Sequence, residues 1–304
     1  MKIGIDLGGS HIGVGLVDNN GNIKIKREME LYNLDDVDIE TYLEQNICKL
    51  IYKVLDEGKL TIDDIEFIGI AAPGIVRKGV IVKSKNLNIS KYAIVTVLKK
   101  EFQVDISLKN DGKAAALAER EYGNLTLYNN SIFLNIGTGI GGAVFENGKL
   151  LESAKGCGYE FGHMIVNRNG RKCSCGKNGC FEAYASIGNL KKIVKEKLNL
   201  EKTLSGKAML EILLADESNK YLEETINDYI DYLSIGISNL VNIFEPECIV
   251  IGGSFAYYET VFLEKLKENL RKKKYIFNEE VFPKIIMAQL KNDAGIIGAT
   301  IEKK

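Results

Sequence analysis

One local pattern occurs twice in the chain and limits its fold more than any other feature. Ile3, Ile5 and Leu7 alternate with small or polar residues and run into Gly8-Gly9-Ser10. A second alternating run, Ile12, Val14 and Leu16, is closed by Asp18-Asn19-Asn20-Gly21. Period-2 alternation bounded by glycine and asparagine predicts two strands joined as a hairpin. The same plan returns about 130 residues later. There Ile132, Leu134 and Ile136 lead into Gly137-Thr138-Gly139-Ile140-Gly141-Gly142, Ala143-Val144-Phe145 continues, and Glu146-Asn147-Gly148-Lys149 turns the chain. Two unrelated hairpins would be the plainer explanation, since Asn-Gly turns are common. A polar residue just ahead of each glycine turn, Asp6 and Asn135, favours a duplicated unit and hence two related lobes.

Helical patterns lie between the strands. From Asp38 to Glu57, the residues Ile39, Leu43, Ile47, Leu50, Ile51 and Val54 fall on one helical face. Ser90 is placed to cap a helix carrying Ala93, Ile94, Val97 and Leu98. Asp111 to Tyr122 is alanine-rich, and alanine is the best helix former. Leu222 to Phe244 repeats apolar residues at helical spacing, Cys248-Ile249-Val250-Ile251 is a buried strand ending in Gly252-Gly253-Ser254, and a last helix begins near Asn292. Strands alternating with helices predict an α/β architecture.

Composition removes several function classes. Lys and Arg number 40 against 41 Asp and Glu, a net charge of −1, so no basic excess favours nucleic acid. Apolar residues make up 45% of the chain, enough for a core, which argues against disorder. No apolar run reaches the roughly 18 residues of a membrane span. The first residues, Met1-Lys2-Ile3-Gly4-Ile5-Asp6, lack the apolar stretch of a signal peptide. A cytoplasmic protein with reduced cysteines is expected.

Three groups of residues can carry chemistry. The first is the set of glycine turns at Gly8, Gly137 and Gly252, each directly after an apolar strand. Backbone N–H groups in such turns converge on anions, and Asp6 adds a carboxylate able to hold a phosphate-bound Mg²⁺. None has the Gly-Lys-Ser/Thr of a P-loop or the Gly-x-Gly-x-x-Gly order of a dinucleotide fold. Tight turns without a ligand are the competing explanation. The second is His163 with Cys173, Cys175 and Cys180. Half the six cysteines and one of two histidines fall in this stretch. One imidazole and three thiolates close the tetrahedral shell that Zn²⁺ prefers, so the zinc is expected to be structural. Cys157 reads as a buried small residue, and Cys48 and Cys248 read as core thiols. Glu160 and Glu182 flank the cluster, where a zinc knot would fix them as hydroxyl acceptors; solvated surface charges are the alternative. The third is Asn110-Asp111, at the end of an apolar strand running from Val104 and the start of the alanine-rich helix. Ligands gather at such strand ends, but Asp111 could equally be only the helix N-cap.

Taken together, these residues resemble the ROK family of sugar kinases, which share an actin/hexokinase-like (duplicated ribonuclease-H-like) fold. The matching pieces are Asp6-Leu7-Gly8-Gly9-Ser10, Ala72-Pro73-Gly74, Asn86-Leu87, Asn110-Asp111, Gly137-Thr138-Gly139-Ile140-Gly141-Gly142, Glu160-Phe161-Gly162-His163, the Cys173–Glu182 run and Asn292-Asp293-Ala294-Gly295. The resemblance implies an N-terminal lobe over 1–113 completed by 293–304, and a second lobe over 114–292 with its zinc motif at 163–180. It implies ATP-dependent phosphorylation of a hexose, glucose at its 6-hydroxyl first, with a fructokinase or an N-acetylhexosamine kinase as alternatives. Asp111 is the implied catalytic base. Gly74, Asn86, Asn110, Asp111 itself, Glu160, His163 and Glu182 are the implied sugar ligands. Asp6, Gly8, Gly9, Ser10, Gly137, Thr138, Gly139, Gly252 and Gly253 are assigned to MgATP. His163, Cys173, Cys175 and Cys180 are assigned to zinc. The implied assembly is a homodimer, sometimes a tetramer, whose partners are sugar and MgATP, with neither nucleic acid nor membrane. The family also contains sugar-responsive transcriptional regulators, which carry a helix-turn-helix ahead of the first strand; here that strand starts at Lys2, and no such element is expected. Ser10 replaces the family's Thr, His11 its Lys, Lys113 its Asn, Tyr159 its Gly and Lys85 its Pro, and the Trp after Asn86 is absent.

Overall fold

The computed structural model describes the whole chain except residues 10, 32–37, 155–157, 216–219, 273–281 and 303–304, and the side chains of Lys220 and Tyr221. Ser10 and Cys157 therefore lie outside the described residues. The chain divides into two compact units: Met1–Thr126 with Asn292–Lys304, and Leu127–Lys291. The helix Asp111–Tyr122, which the sequence division cut at 113, stays whole in the first unit.

The first unit is built on strands β1 (Lys2–Leu7), β2 (His11–Val17), β3 (Ile23–Glu30) and β4 (Phe67–Ala72), with helix α1 (Ile39–Gly58) entering between β3 and β4. A small antiparallel sheet follows, β5 (Ile75–Arg77), β6 (Val80–Ser84) and β7 (Ile89–Tyr92), then helix α2 (Ile94–Glu101), strand β8 (Asp105–Asn110) and helix α3 (Asp111–Tyr122). The main sheet has the order β3-β2-β1-β4-β8, antiparallel across β1–β2–β3 and parallel across β1, β4 and β8. Every residue of β4 is buried, as expected of a parallel strand covered on both faces. The edge strand β3, Ile-Lys-Ile-Lys-Arg-Glu-Met-Glu, has no buried residue, and its charges discourage edge pairing. Helix α1 buries Leu43, Ile47, Leu50, Ile51, Val54 and Leu55. Each such side chain contributes roughly 2 kcal/mol of transfer free energy. Ser90 lies inside β7 rather than at a helix cap, and α2 starts four residues later at Ile94, after Ala93.

The second unit repeats the plan. Strands β9 (Ser131–Ile136), β10 (Ile140–Glu146) and β11 (Lys149–Leu150) form the antiparallel part. Helices α4 (Glu182–Ala185), α5 (Ile187–Lys197), α6 (Gly206–Ala215) and α7 (Lys220–Phe244) follow. Strand β12 (Cys248–Gly252), helix α8 (Glu259–Lys272) and strand β13 (Lys284–Met287) complete the unit. The sheet order β11-β10-β9-β12-β13 matches that of the first unit strand for strand, in order and in direction. The glycine turns at Gly8 and Gly137 occupy equivalent places in it. Cys48 is partly buried and Cys248 buried, both as free thiols.

The last helix, α9 (Ala294–Ala299), follows the second sheet in sequence but packs in the first unit. The backbones meet almost without side chains between them. A Cβ on Gly69 of β4 would collide with the carbonyl of Ala299, and one on Gly298 with that of Ala114 in α3. Lys109 Nζ donates to Ala299 O at 2.9 Å, and Lys26 pairs with Asp293 at 2.9 Å. Among the described residues no helix is long and apolar enough to cross a membrane.

Candidate active site

In the first unit, β1, β4 and β8 run parallel, so their carboxyl ends share one edge of the sheet, where ligands of α/β folds gather. Asp6 and the Gly8-Gly9 turn come from β1, Gly74 from the turn after β4, and Asn110-Asp111 from the β8–α3 junction. Asn110 caps α3: its Oδ1 accepts from Lys113 N at 3.2 Å, while its Nδ2 donates to Gly74 O at 3.1 Å. The sequence left Asp111 between cap and base; the cap is Asn110, and Asp111 is the first helical residue. Its Oδ1 accepts from Gly112 N at 2.8 Å. Burial pushes the Asp111 carboxyl up to about 6, against the Gly112 N–H, and the nearby Asp6 charge pushes the same way. Burial likewise raises Asp6, opposed by His11 and Lys26. The first glycine turn lies close to Asn86, whose Cβ is 3.0 Å from where a Cβ on Gly9 would stand. His11 Nε2 is 3.9 Å from Asp6 Oδ2, and Gly8 N donates to His11 O at 2.9 Å. The first unit thus brings Asp6, Gly8, Gly9, Gly74, Asn86, Asn110 and Asp111 to one end of its sheet.

The second unit presents the matching edge. The Gly137-Thr138-Gly139 turn follows β9, and Gly252-Gly253 follows β12, whose Gly252 is in register with Asn135. Gly253 has φ 76°, a left-handed turn that leaves its backbone against Asn135 Oδ1 and the Ile136 carbonyl. The sequence singled out these two turns separately; the fold places them side by side. Gly188, at the start of α5, donates to Gly137 O at 3.1 Å. No sequence pattern marked that residue.

His163, Cys173, Cys175 and Cys180 offer one ligand atom each, all within 4.8 Å of one another. Cys175 and Cys180 have their Sγ atoms 3.6 Å apart, and Cys173 Sγ is 3.8 Å from His163 Nδ1. A tetrahedral zinc with Zn–S bonds of about 2.3 Å needs ligands about 3.8 Å apart, so the donor set fits the ion. Burial pushes the Cys180 thiol up to about 12, while the Lys177 N–H lowers Cys175. The knot is pinned to the helices behind it by groups the sequence did not mark. Tyr184 of α4 stacks on Tyr232 of α7 with centroids 4.0 Å apart. Asn167 Nδ2 donates to Tyr232 Oη at 2.9 Å, and Arg171 N to Tyr184 Oη at 2.6 Å.

The two flanking glutamates differ. Glu160 is exposed, ahead of a single helical turn over Phe161–His163. Glu182 is half-buried: Oε2 accepts from Ile140 N at 3.1 Å and Oε1 from Ser174 Oγ at 3.2 Å. Tyr159, where the family has Gly, holds φ at 65°, a conformation disfavoured for a side chain of this size. Its ring packs on Phe244 (centroids 6.4 Å), which also meets Phe161 (6.2 Å). Both chain neighbours of Glu160 thus lean on one ring at the end of α7. Tyr159→Ala keeps the left-handed strain and loses the ring; Tyr159→Gly loses the ring and relieves the strain. We expect the Ala variant to be the less stable by about 1 kcal/mol, the reverse of the usual order. Thermal unfolding of the pair checks this, and an Ala variant at least as stable as the Gly variant contradicts it.

Comparison with known proteins agrees with this architecture. The ROK family model matches residues 2–302. The xylose repressor of Caldicellulosiruptor bescii is 30% identical over 308 residues, spanning 97% of this chain and 76% of the repressor. The glucokinase of Thermotoga maritima is 30% identical over 313 residues, spanning 98% of this chain and 95% of the glucokinase. The crystal structure of the ROK hexokinase from Thermus thermophilus superposes with a TM-score of 0.77 at 27% identity, covering 98% and 96% of the two chains. The chain belongs to the ROK family and has the two-lobed α/β fold of its sugar kinases.

Proposed function

We propose that this protein is an ATP-dependent hexose kinase, acting on the 6-hydroxyl of glucose. The observation that carries this reading is the state of Asp111. Asn110 relieves it of helix capping, and burial brings its carboxyl to about 6, close to the pH at which a general base is most effective. In the proposed reaction Asp111 accepts the hydroxyl proton, the sugar oxygen forms a bond to the γ-phosphorus, and the bond from that phosphorus to the bridging oxygen breaks, its electron pair leaving with ADP. Asn110, Glu160, His163 and Glu182, with Asn86 and Gly74, are the groups assigned to the sugar. Gly8, Gly9, Ser10, Gly137, Thr138 and Gly139 are assigned to the phosphates, and Gly252 and Gly253 to the adenosine. Oriented backbone N–H groups stabilise the charge on the transferred group, which is most of what this chemistry asks of a protein. Asp6 would hold Mg²⁺, which when bound neutralises phosphate charge. His163, Cys173, Cys175 and Cys180 would hold zinc in a closed shell, and its contribution is rigidity.

A second reading, a sugar-responsive regulator, is supported by the repressor relatives. The two separate in one experiment: ATP consumption measured across glucose, fructose, mannose and the N-acetylhexosamines. We expect turnover, highest with glucose. Turnover highest with fructose or an N-acetylhexosamine would move the assignment within the kinases. Sugar binding without turnover of any member would favour the regulator. We further propose a cytoplasmic homodimer, which light scattering on the purified protein tests.

A further inference from the structure

Glu182 stands between two features assigned to different ligands. Its Oε2 accepts from Ile140 N, in the second glycine loop, at 3.1 Å. This oxygen lies so close to Gly139 that a Cβ there would collide with it. Its Oε1 accepts from Ser174 Oγ at 3.2 Å and lies 3.8 Å from Cys173 Sγ. Ser174 is the residue between two of the thiolate ligands, so one carboxylate joins the metal knot to the glycine loop. The helix that carries it is itself fixed: the Glu182 carbonyl accepts from Asn189 Nδ2 at 2.9 Å. Just beyond, Gly188 N holds Gly137 O. The loop over Gly137–Ile140 is therefore held from behind at both ends, by a backbone N–H at Gly137 and by the Glu182 carboxylate at Ile140.

A loop that receives phosphate through its own N–H groups works only when its backbone is fixed before the ligand arrives; otherwise binding must bear the cost of ordering it. We propose that Glu182 is a positioning residue that transmits the rigidity of the zinc knot to the Gly137–Ile140 loop, and so sets the affinity for nucleotide even in the absence of sugar. This rests on the nucleotide role proposed above for that loop. It adds a task for the knot beyond holding sugar ligands.

The test measures binding of the Mg²⁺ complex of a non-hydrolysable ATP analogue to sugar-free protein, with zinc content determined for each preparation. Glu182→Ala is expected to weaken nucleotide binding roughly tenfold or more, the scale of a lost charge-assisted hydrogen bond. Glu182→Gln keeps an acceptor for Ile140 N and should restore most of that affinity, while hexose binding stays impaired because a bidentate carboxylate is gone. Ser174→Ala cuts only the exposed end of the link. It should cost about threefold in nucleotide affinity and leave hexose affinity unchanged; this arm stands if Glu182→Ala does not fold. Nucleotide affinity within twofold of wild type in both Glu182→Ala and Ser174→Ala, with zinc retained, would overturn the proposal. Equal losses in Glu182→Ala and Glu182→Gln would also overturn it. Wild-type protein that binds no nucleotide would instead refute the kinase reading on which it stands.

Discussion

Replacing Asp111 with Asn is expected to lower kcat by roughly 10²–10⁴-fold, the usual share of a positioned general base, while hexose affinity stays within a few-fold. The amide keeps an oxygen for Gly112 N and the shape of the α3 start, so loss of turnover reports on the proton and not on the fold. The same variant has a second consequence, of opposite sign. Burial raises Asp111 from 3.8 to about 6, so the folded state holds this proton more tightly than the unfolded chain. Its contribution therefore favours folding at low pH and is lost as pH rises through about 6. Above that, wild type carries an ionised carboxylate in a poorly solvated place, at a cost of at most ~3 kcal/mol. Asp111→Asn should unfold at a higher temperature than wild type at pH 7.5, with the gain vanishing near pH 4. Wild-type kcat should in turn fall as pH drops below about 6. Near-wild-type turnover in the variant would remove Asp111 from the reaction. A stability difference that does not change with pH would show that folding does not raise the Asp111 carboxyl.

The second large effect concerns the zinc knot. Cys180 is completely buried, and its thiol shares the ligand cluster with Cys173, Cys175 and His163. Cys180→Ser is expected to reduce zinc from one per chain to a small residue. It should also open the backbone over 163–180 to hydrogen exchange and weaken hexose binding at least tenfold, the lower end of what disturbed metal shells cost. His163 begins this stretch and Glu160 lies three residues ahead of it, so loss of order there reaches the proposed sugar contacts directly. Exhaustive chelation of wild type should reproduce the phenotype, and zinc should reverse it. Because zinc binding displaces protons from its thiol ligands, reloading should be weaker at pH 6 than at pH 8. Wild-type protein purified without chelator and free of metal would defeat the assignment.

Much of this was legible in the residues because strong periodicity and special residue types coincide. The alternating runs at Ile3–Leu7 and Ile132–Ile136 became the central strands of two equivalent sheets, and the alanine-rich helix spans Asp111–Tyr122 as read. The cysteine spacing named a ligand set that the fold brings within bonding range of one ion. Other features left no trace. The β5–β6–β7 sheet is short and partly exposed, so apolar alternation is weak there, and Ser90 looked like a cap. That Asn110 and not Asp111 caps α3 depends on which of two adjacent side chains turns back to Lys113 N, which spacing cannot show. The support for Glu182 comes from a backbone N–H at Ile140, and backbone groups carry no residue signature. Tyr159 was marked as a departure from the family; its left-handed backbone and its contact with Phe244, far away in sequence, emerged only in the fold.

Helix α9 bears on how the molecule is made. It follows the whole second unit in the chain, yet it supplies part of the interior of the first, pressed against β4 and α3 where Gly69 and Gly298 leave no room for any other residue. During synthesis residues 1–126 leave the ribosome long before residues 292–302, which complete their unit, exist. The second unit, contiguous in sequence, has its full complement of chain earlier than the first. The first unit therefore cannot close its interior against β4 and α3 until residues 294–299 have been made, after the whole of 127–291.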